Sequence, residues 1–224
     1  MSMQRARIFR LESYLDHLAE LKLAGRTTVT SEELAGRVGI SSSRVRQDFI
    51  YLQVEGKPRS GYEIGELEML LYSELDLLHE KGMVLIGCGN LGRALIFSGI
   101  WEHSGFSLKA VFDNQASVIG SVVNGLTVRH VRELHSVVRS EEIVAGCLTV
   151  PAIAAQGVVQ MLIGAGIRGI WNFAPTEIKA PAGVVVENQR LEQGLMTLSF
   201  AMKETRAAPI RPDLENYVHD ASSS

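Results

Sequence analysis

Residues 87–92 read Gly-Cys-Gly-Asn-Leu-Gly, directly after the apolar run 83–86 and before the helix-like stretch Arg-Ala-Leu-Ile-Phe. In a strand-to-helix turn, glycines at this spacing suit one chemistry, the cradling of a pyrophosphate. Gly87 allows a tight turn, Gly89 removes the side chain that would hold backbone away from phosphate, and Gly92 lets the helix approach the strand. Amides around Cys88, Asn90 and Leu91, at the helix start, would then face the anion. Asp113 ends the next strand-like run, 21 residues past Gly92. A carboxylate there accepts both hydroxyls of an adenine ribose and repels a 2'-phosphate, so the ligand expected is NAD(H) rather than NADP(H). Two further loops, Thr149-Val150-Pro151 and Asn172-Phe173-Ala174-Pro175, also end apolar runs. They are candidate walls toward the nicotinamide half, although proline turns at strand ends are equally ordinary loop chemistry.

A second group of residues lies near the N-terminus. Leu34, Ala35, Val38, Gly39, Ile40 and Val45 have the spacing of a helix-turn-helix, which leaves Ser43, Arg44, Arg46, Gln47 and Ile50 on the outer face of its last helix. Arginine and glutamine suit base edges in a major groove, while Lys57 and Arg59, in a basic turn just beyond, suit phosphates or a minor groove. Between 37 and 59 the count is five basic to two acidic side chains, a modest excess that also fits a solvated helical surface. The six histidines include no pair at metal spacing beside carboxylates, so no metal site is expected. No serine lies in a nucleophile elbow, and no catalytic residue is assigned. Trp101 and Trp171 belong to apolar stretches and read as core or interface.

The elements that must hold these residues follow from periodicity. Apolar residues at 8, 11, 15, 18 and 21 mark one helix, Thr30 and Glu33 form a capping box for a second over 31–38, and serines 41–43 cap a third carrying Arg44 to Leu52. With a hairpin over 56–61 they make a winged helix, residues 1–65. Leucines at 67, 70, 71, 75 and 78 predict a linker helix within 66–82. Buried parallel strands are expected at 83–87, 108–113, 143–150, 169–173 and 184–188, alternating with helices at 91–103, 130–140 and 152–164. That alternation is a doubly wound α/β sheet over 83–189, with its cleft at the carboxyl ends of the strands. A helix over 190–204 would present Leu191, Leu195, Leu198 and Met202 on one face, and 205–224 reads as a disordered tail.

The chain has 224 residues with a net charge of −3, split as +2 over 1–64 and −5 beyond. Its two cysteines, Cys88 and Cys147, both lie in apolar runs and read as buried thiols in a reducing compartment. No run reaches the roughly 18 apolar residues of a membrane span, so a cytoplasmic protein is expected.

In order, the helix-turn-helix, a wing ending Gly-Tyr, then GCGNLGRAL, VFD, LTVPA, NFAP, VVVEN and a last helix with LSF resemble the Rex family of redox-sensing transcriptional repressors over nearly residues 5–203. The resemblance implies a Rossmann domain and a homodimer with swapped C-terminal helices. It also implies binding to an inverted-repeat operator in double-stranded DNA, release from DNA when NADH replaces NAD, and no catalysis. Residue by residue, it places the family's recognition-helix arginine and aspartate at Arg46 and Asp48 and the following tyrosine at Tyr51. The wing keeps Gly56, Lys57, Gly61 and Tyr62. Where relatives usually have lysine after the arginine, this chain has Gln47. The tyrosine usual after GNLGRAL becomes Ser98, and the aspartate of ENVDL becomes Arg190. These two, with Phe200 of the retained LSF, are the switch candidates, and the joint replacement at Ser98 and Arg190 puts redox coupling in doubt. A constitutive regulator with a muted NADH response and a short NAD-dependent dehydrogenase are the alternatives. The dehydrogenase is disfavoured because only 38 residues follow position 186.

Overall fold

The computed structural model describes residues 3–57, 60–101 and 104–205. The expected tail from 206 onward and the wing candidate Arg59 lie outside them.

The N-terminal unit comprises α1 (Met3–Leu23), β1 (Thr28–Val29), α2 (Ser31–Val38), α3 (Ser42–Tyr51), β2 (Tyr62–Glu63) and α4 (Ile64–Glu74). The capping box forms as expected. Thr30 Oγ1 accepts from the Glu33 amide at 3.2 Å, and the Glu33 carboxylate accepts from the Thr30 amide at 2.8 Å. Gly39 then ends α2 in the left-handed region at φ 73°, a conformation that favours glycine. β1 and β2 pair antiparallel at the wing's base. Lys57 and Gly61 exchange backbone hydrogen bonds at 2.8 and 3.0 Å and close the wing turn. Gly61 has φ 76°, and a Cβ there would lie 2.2 Å from the Val29 carbonyl, so no side chain fits.

The structure corrects the linker helix. α4 starts at Ile64 and stops at Glu74, and it buries Ile64, Leu67 and Leu71 in the same core as Leu11, Tyr14, Leu18, Val45 and Phe49. The leucine spacing reveals an apolar face but not which unit that face joins. α4 is the fourth helix of the N-terminal unit.

Beyond it lie β3 (Lys81–Ile86), α5 (Asn90–Phe97), β4 (Phe106–Asp113), β5 (Val122–Val123), β6 (Leu126–His130), α6 (Leu134–Ser140), β7 (Ile143–Leu148), α7 (Ala152–Gly164), β8 (Gly169–Asn172), β9 (Val185–Asn188) and α8 (Leu191–Thr205). The sheet order is β5-β6-β4-β3-β7-β8-β9, parallel except for β5. Without β5 this is the 3-2-1-4-5-6 order of a dinucleotide-binding sheet, in which the direction of winding reverses between β3 and β7. Alternate residues of β3 enter opposite cores. Val84 and Ile86 pack with Leu134, Val159 and Leu162, while Met83 and Leu85 pack with Ile96 and Val128.

Two local expectations shift. The helix expected over 91–103 ends at Phe97, where Ser98 caps it and Gly99 turns at φ 68°. The helix expected from 130 begins at Leu134, because residues 126–130 are β6 and a 3-10 turn intervenes. α8 stands apart, with every residue from Leu191 to Lys203 exposed. Among the described residues no helix is long and apolar enough to cross a membrane.

Candidate dinucleotide cleft and nucleic-acid interface

At the switch point, β3 runs into the glycine turn and α5 starts at Asn90. The three glycines meet different demands. Gly87 has φ 104°, and a Cβ there would lie 2.8 Å from the Thr149 carbonyl. At Gly92 a Cβ would lie 2.0 Å from the Gly87 carbonyl, so this position must be bare for the helix to leave the turn. A Cβ on Gly89 meets nothing within 4 Å and φ is −76°, so the protein itself does not require glycine here. The space it leaves open lies at the α5 N-terminus, which has no side-chain cap, as expected where an anion is to be held. α7, across the switch point, also starts without a side-chain cap, at Pro151. Arg93, which the sequence reading passed over, donates from Nε to the Cys88 carbonyl at 3.2 Å and sets a positive charge beside the turn.

Asp113 ends β4 and leans into the same turn. One carboxylate oxygen accepts from the Cys88 amide at 2.6 Å and the other from the Gln115 amide at 2.9 Å. Each oxygen retains acceptor capacity for a ribose hydroxyl. Thr149 bolts the two central loops together, since its Oγ1 donates to the Gly87 carbonyl at 2.6 Å. Val150 and Pro151 follow it on the opposite wall.

Asn172 is buried, and its Nδ2 donates to the Thr176 carbonyl at 3.0 Å and to Asn188 Oδ1 at 2.8 Å. Its Oδ1 accepts from the Ala174 amide at 3.0 Å. The side chain pins the loop, leaving the neighbouring Phe173 as the ligand-facing candidate there. Burial pushes the Cys88 thiol up and that of Cys147 up to about 12, so both are neutral thiols.

In the N-terminal unit, Val45, Asp48 and Phe49 face inward from α3, while Ser43, Arg46, Gln47, Ile50 and Tyr51 are exposed and Arg44 is half-buried. Asp48, matched by the resemblance to the family's recognition-helix aspartate, is one of the inward residues. Its carboxylate takes a bidentate pair from Arg10, Nε at 2.6 Å and Nη2 at 2.7 Å, and accepts from the Tyr14 hydroxyl at 3.1 Å. Its hydrogen bonds, with its charge behind them, hold the Arg10 guanidinium above the ordinary arginine value, and burial holds the Tyr14 phenol above its own. Arg46 lies against α2, donating to Ser31 Oγ at 3.1 Å and Glu32 at 3.2 Å. Arg7, also missed by the sequence reading, stacks its guanidinium 3.9 Å from the centre of the Tyr51 ring and adds a cation to this face.

The switch candidates lie apart. Ser98 Oγ donates to the Leu95 carbonyl at 2.8 Å and stays on its own helix end. Arg190 and Phe200 are exposed on and beside α8.

Two family descriptions match, CoA binding domain over residues 79–176 and putative DNA-binding protein N-terminus over residues 5–49. The redox-sensing transcriptional repressor Rex of Clostridium tetani is 33% identical over 88% of this chain and 93% of its own length. The Rex protein of Carboxydothermus hydrogenoformans is 37% identical, over 88% and 95%. Among solved structures, RSP in complex with β-NAD+ and operator DNA has a TM-score of 0.84 at 33% identity, covering 92% of this chain and 94% of that one. RSP in complex with β-NADH gives 0.81 at 32%, covering 92% and 97%. With this similarity running through both the winged helix and the dinucleotide sheet, the chain belongs to the Rex family of redox-sensing transcriptional repressors.

Proposed function

We propose that this chain is a cytoplasmic, homodimeric repressor that grips an inverted-repeat operator through α3 and the wing and releases it when NADH fills the cleft at β3 and β7. The observation that carries this reading is Gly89, a glycine the fold does not need, standing at an uncapped helix N-terminus. Three further features support the ligand. Asp113 suits a free adenine ribose, Thr149 fixes the two loops to each other, and the RSP complexes contain NAD+ or NADH. The CoA description fits the shared adenosine diphosphate moiety, but the 3'-phosphate on the coenzyme A ribose would meet Asp113 as like charge.

Arg44, Arg46 and Gln47 are the base-reading candidates, Ser43 and Tyr51 flank them, and Lys57 faces phosphate. Exposed α8 is the dimer element, since a 15-residue helix with a bare apolar face is marginal alone. The protein is not an enzyme, and NADH acts as a ligand with unequal affinity for two arrangements of the dimer.

A second reading, DNA binding with a weak NADH response, is favoured by Ser98, whose hydroxyl is spent on its own helix end. Titration of NADH and of NAD+ into the protein on a labelled operator separates them. Release by NADH alone supports the first, and equal retention with both supports the second.

A further inference from the structure

α1 opens on Met-Gln-Arg-Ala-Arg-Ile-Phe-Arg, with three arginines close together and no acidic residue in its first turn. A helix N-terminus favours anions and disfavours cations, so these charges need counter-charges. Two have one inside the fold. Arg5 meets Glu187, and Arg10 meets Asp48. The same holds across the N-terminal unit, where the arginines at 26, 37, 44 and 46 all lie within ion-pair distance of a carboxylate. Arg7 departs from this rule. It makes no hydrogen bond or ion pair among the described residues, and its buried Nε has no acceptor. What holds it is an aromatic face, since its guanidinium carbon lies 3.9 Å from the centre of the Tyr51 ring. A guanidinium on a ring face keeps its full charge, and its N–H donors point outward in its own plane, where a tetrahedral anion can take two of them.

The platform is on the reading helix. Tyr51 is the last residue of α3 and is 54% exposed. Arg44, Gln47 and Tyr51 follow one another at helical spacing, so the ring that carries Arg7 continues a row holding two base-reading candidates. We propose that Arg7 binds a phosphate of the operator backbone, with Tyr51 holding its guanidinium in place. The inference rests on the operator reading above and extends the DNA surface from α3 and the wing to a second helix. The ligand is a backbone phosphate and not a base edge because α1 packs on the inner side of α3, through Arg10 and Asp48. A side chain from there reaches the rim of a groove and not its floor. Such a contact positions the duplex and releases counterions without reading sequence.

Fluorescence anisotropy of the full chain on labelled duplex, over a range of salt, tests this with Arg7→Gln and Arg7→Lys. Arg7→Gln removes the cation. It should weaken the operator and an unrelated duplex alike, by about tenfold at low salt, and lower the slope of log affinity against log salt by about one for each bound protomer. Arg7→Lys keeps the charge without the planar fork, so it should retain the slope and recover only part of the affinity. In a Tyr51→Leu background, which lacks the platform, Arg7→Gln should cost only about threefold or less. A merely structural role for Arg7 would move the urea unfolding midpoint and leave the salt slope alone. An unchanged slope in Arg7→Gln, a slope lost in Arg7→Lys, or a loss of affinity confined to one operator base pair therefore overturns the proposal while leaving the operator reading intact. A parent chain that prefers no inverted repeat over random DNA removes the operator reading itself.

Discussion

Asp48→Asn tests whether α3 is held by a buried charge or merely carries one. The change keeps the shape of the side chain and removes its charge from a group only 4% exposed, facing an Arg10 side chain that is 10% exposed. Arg10 keeps its bond from Nη1 to the Ala6 carbonyl at 3.0 Å and can still donate to the one amide oxygen, but loses its counter-ion. Removing one partner of a buried pair costs about 3–5 kcal/mol, because the other charge stays behind without compensation. Set against the roughly 5–15 kcal/mol that holds an ordinary domain together, the loss is enough to loosen or unfold the N-terminal unit. The dinucleotide turn lies in a separate core beyond β3, so NADH affinity should stay within about twofold. Urea unfolding followed by circular dichroism, operator binding and NADH calorimetry on one preparation decide the matter. The expected result is a lower unfolding midpoint, lost operator binding and intact NADH binding. Unchanged unfolding with an altered base preference would falsify the buried-pair argument and make Asp48 a DNA-reading residue.

The glycine turn predicts opposite outcomes for two alanines. Gly89→Ala should leave stability unchanged and weaken NADH by about tenfold or more, while Gly92→Ala should destabilise the sheet itself because its Cβ meets the Gly87 carbonyl. Asp113→Ala should narrow the preference for NADH over NADPH, read by calorimetry, whereas equal affinities in the parent would remove Asp113 from the ribose. Arg46→Ala should relax operator sequence preference, while Lys57→Ala should weaken all sequences alike and lower the salt slope by about one. The Thr30 amide and the Arg26 guanidinium hold the Glu33 carboxyl below its ordinary value. Its contribution to stability is therefore present above the usual carboxylate range and lost as pH falls from that range through the lowered folded-state value, so the parent should lose more thermal stability on acidification from about pH 6 than Glu33→Gln.

The parallel strands could be read from sequence because burial on both faces makes each an unbroken apolar run. The bounds of α2 were legible because Thr30, Glu33 and Gly39 are themselves the start and stop chemistry. The β5–β6 hairpin was missed although its signal was present. Asn124-Gly125 has positive φ at both residues, 49° and 78°, and joins Val122-Val123 to Leu126–His130, but the two residues of β5 are too short to register as a strand. The outer-face row of α3 left Asp48 out, but its buried partner was not legible. The spacing of Asp48 with Val45, Phe49 and Leu52 is the inward stripe of α3, and that pattern outweighs the usual exposure of a carboxylate once Arg10 is there to meet it. Asn172 is similar, since an amide at a strand end reads equally as ligand contact or loop pin, and only the positions of Thr176 and Asn188 decide.

α1 runs from the wall of the cleft between the two units into the core of the DNA-reading unit, and its contacts differ in strength along its length. Arg10 fixes it to α3 through the buried bidentate pair, so those two helices move together. Arg5 meets Glu187 on β9 with both side chains half exposed, an ion pair that contributes about 0–1 kcal/mol and can break and reform cheaply. Glu12 and Asp16 face the cleft between the units. A lever rigid toward the operator and loosely held toward the sensor can take two orientations at small cost. The choice between them then falls to ligands and contacts that differ between the two orientations, which is the condition for NADH to shift the equilibrium.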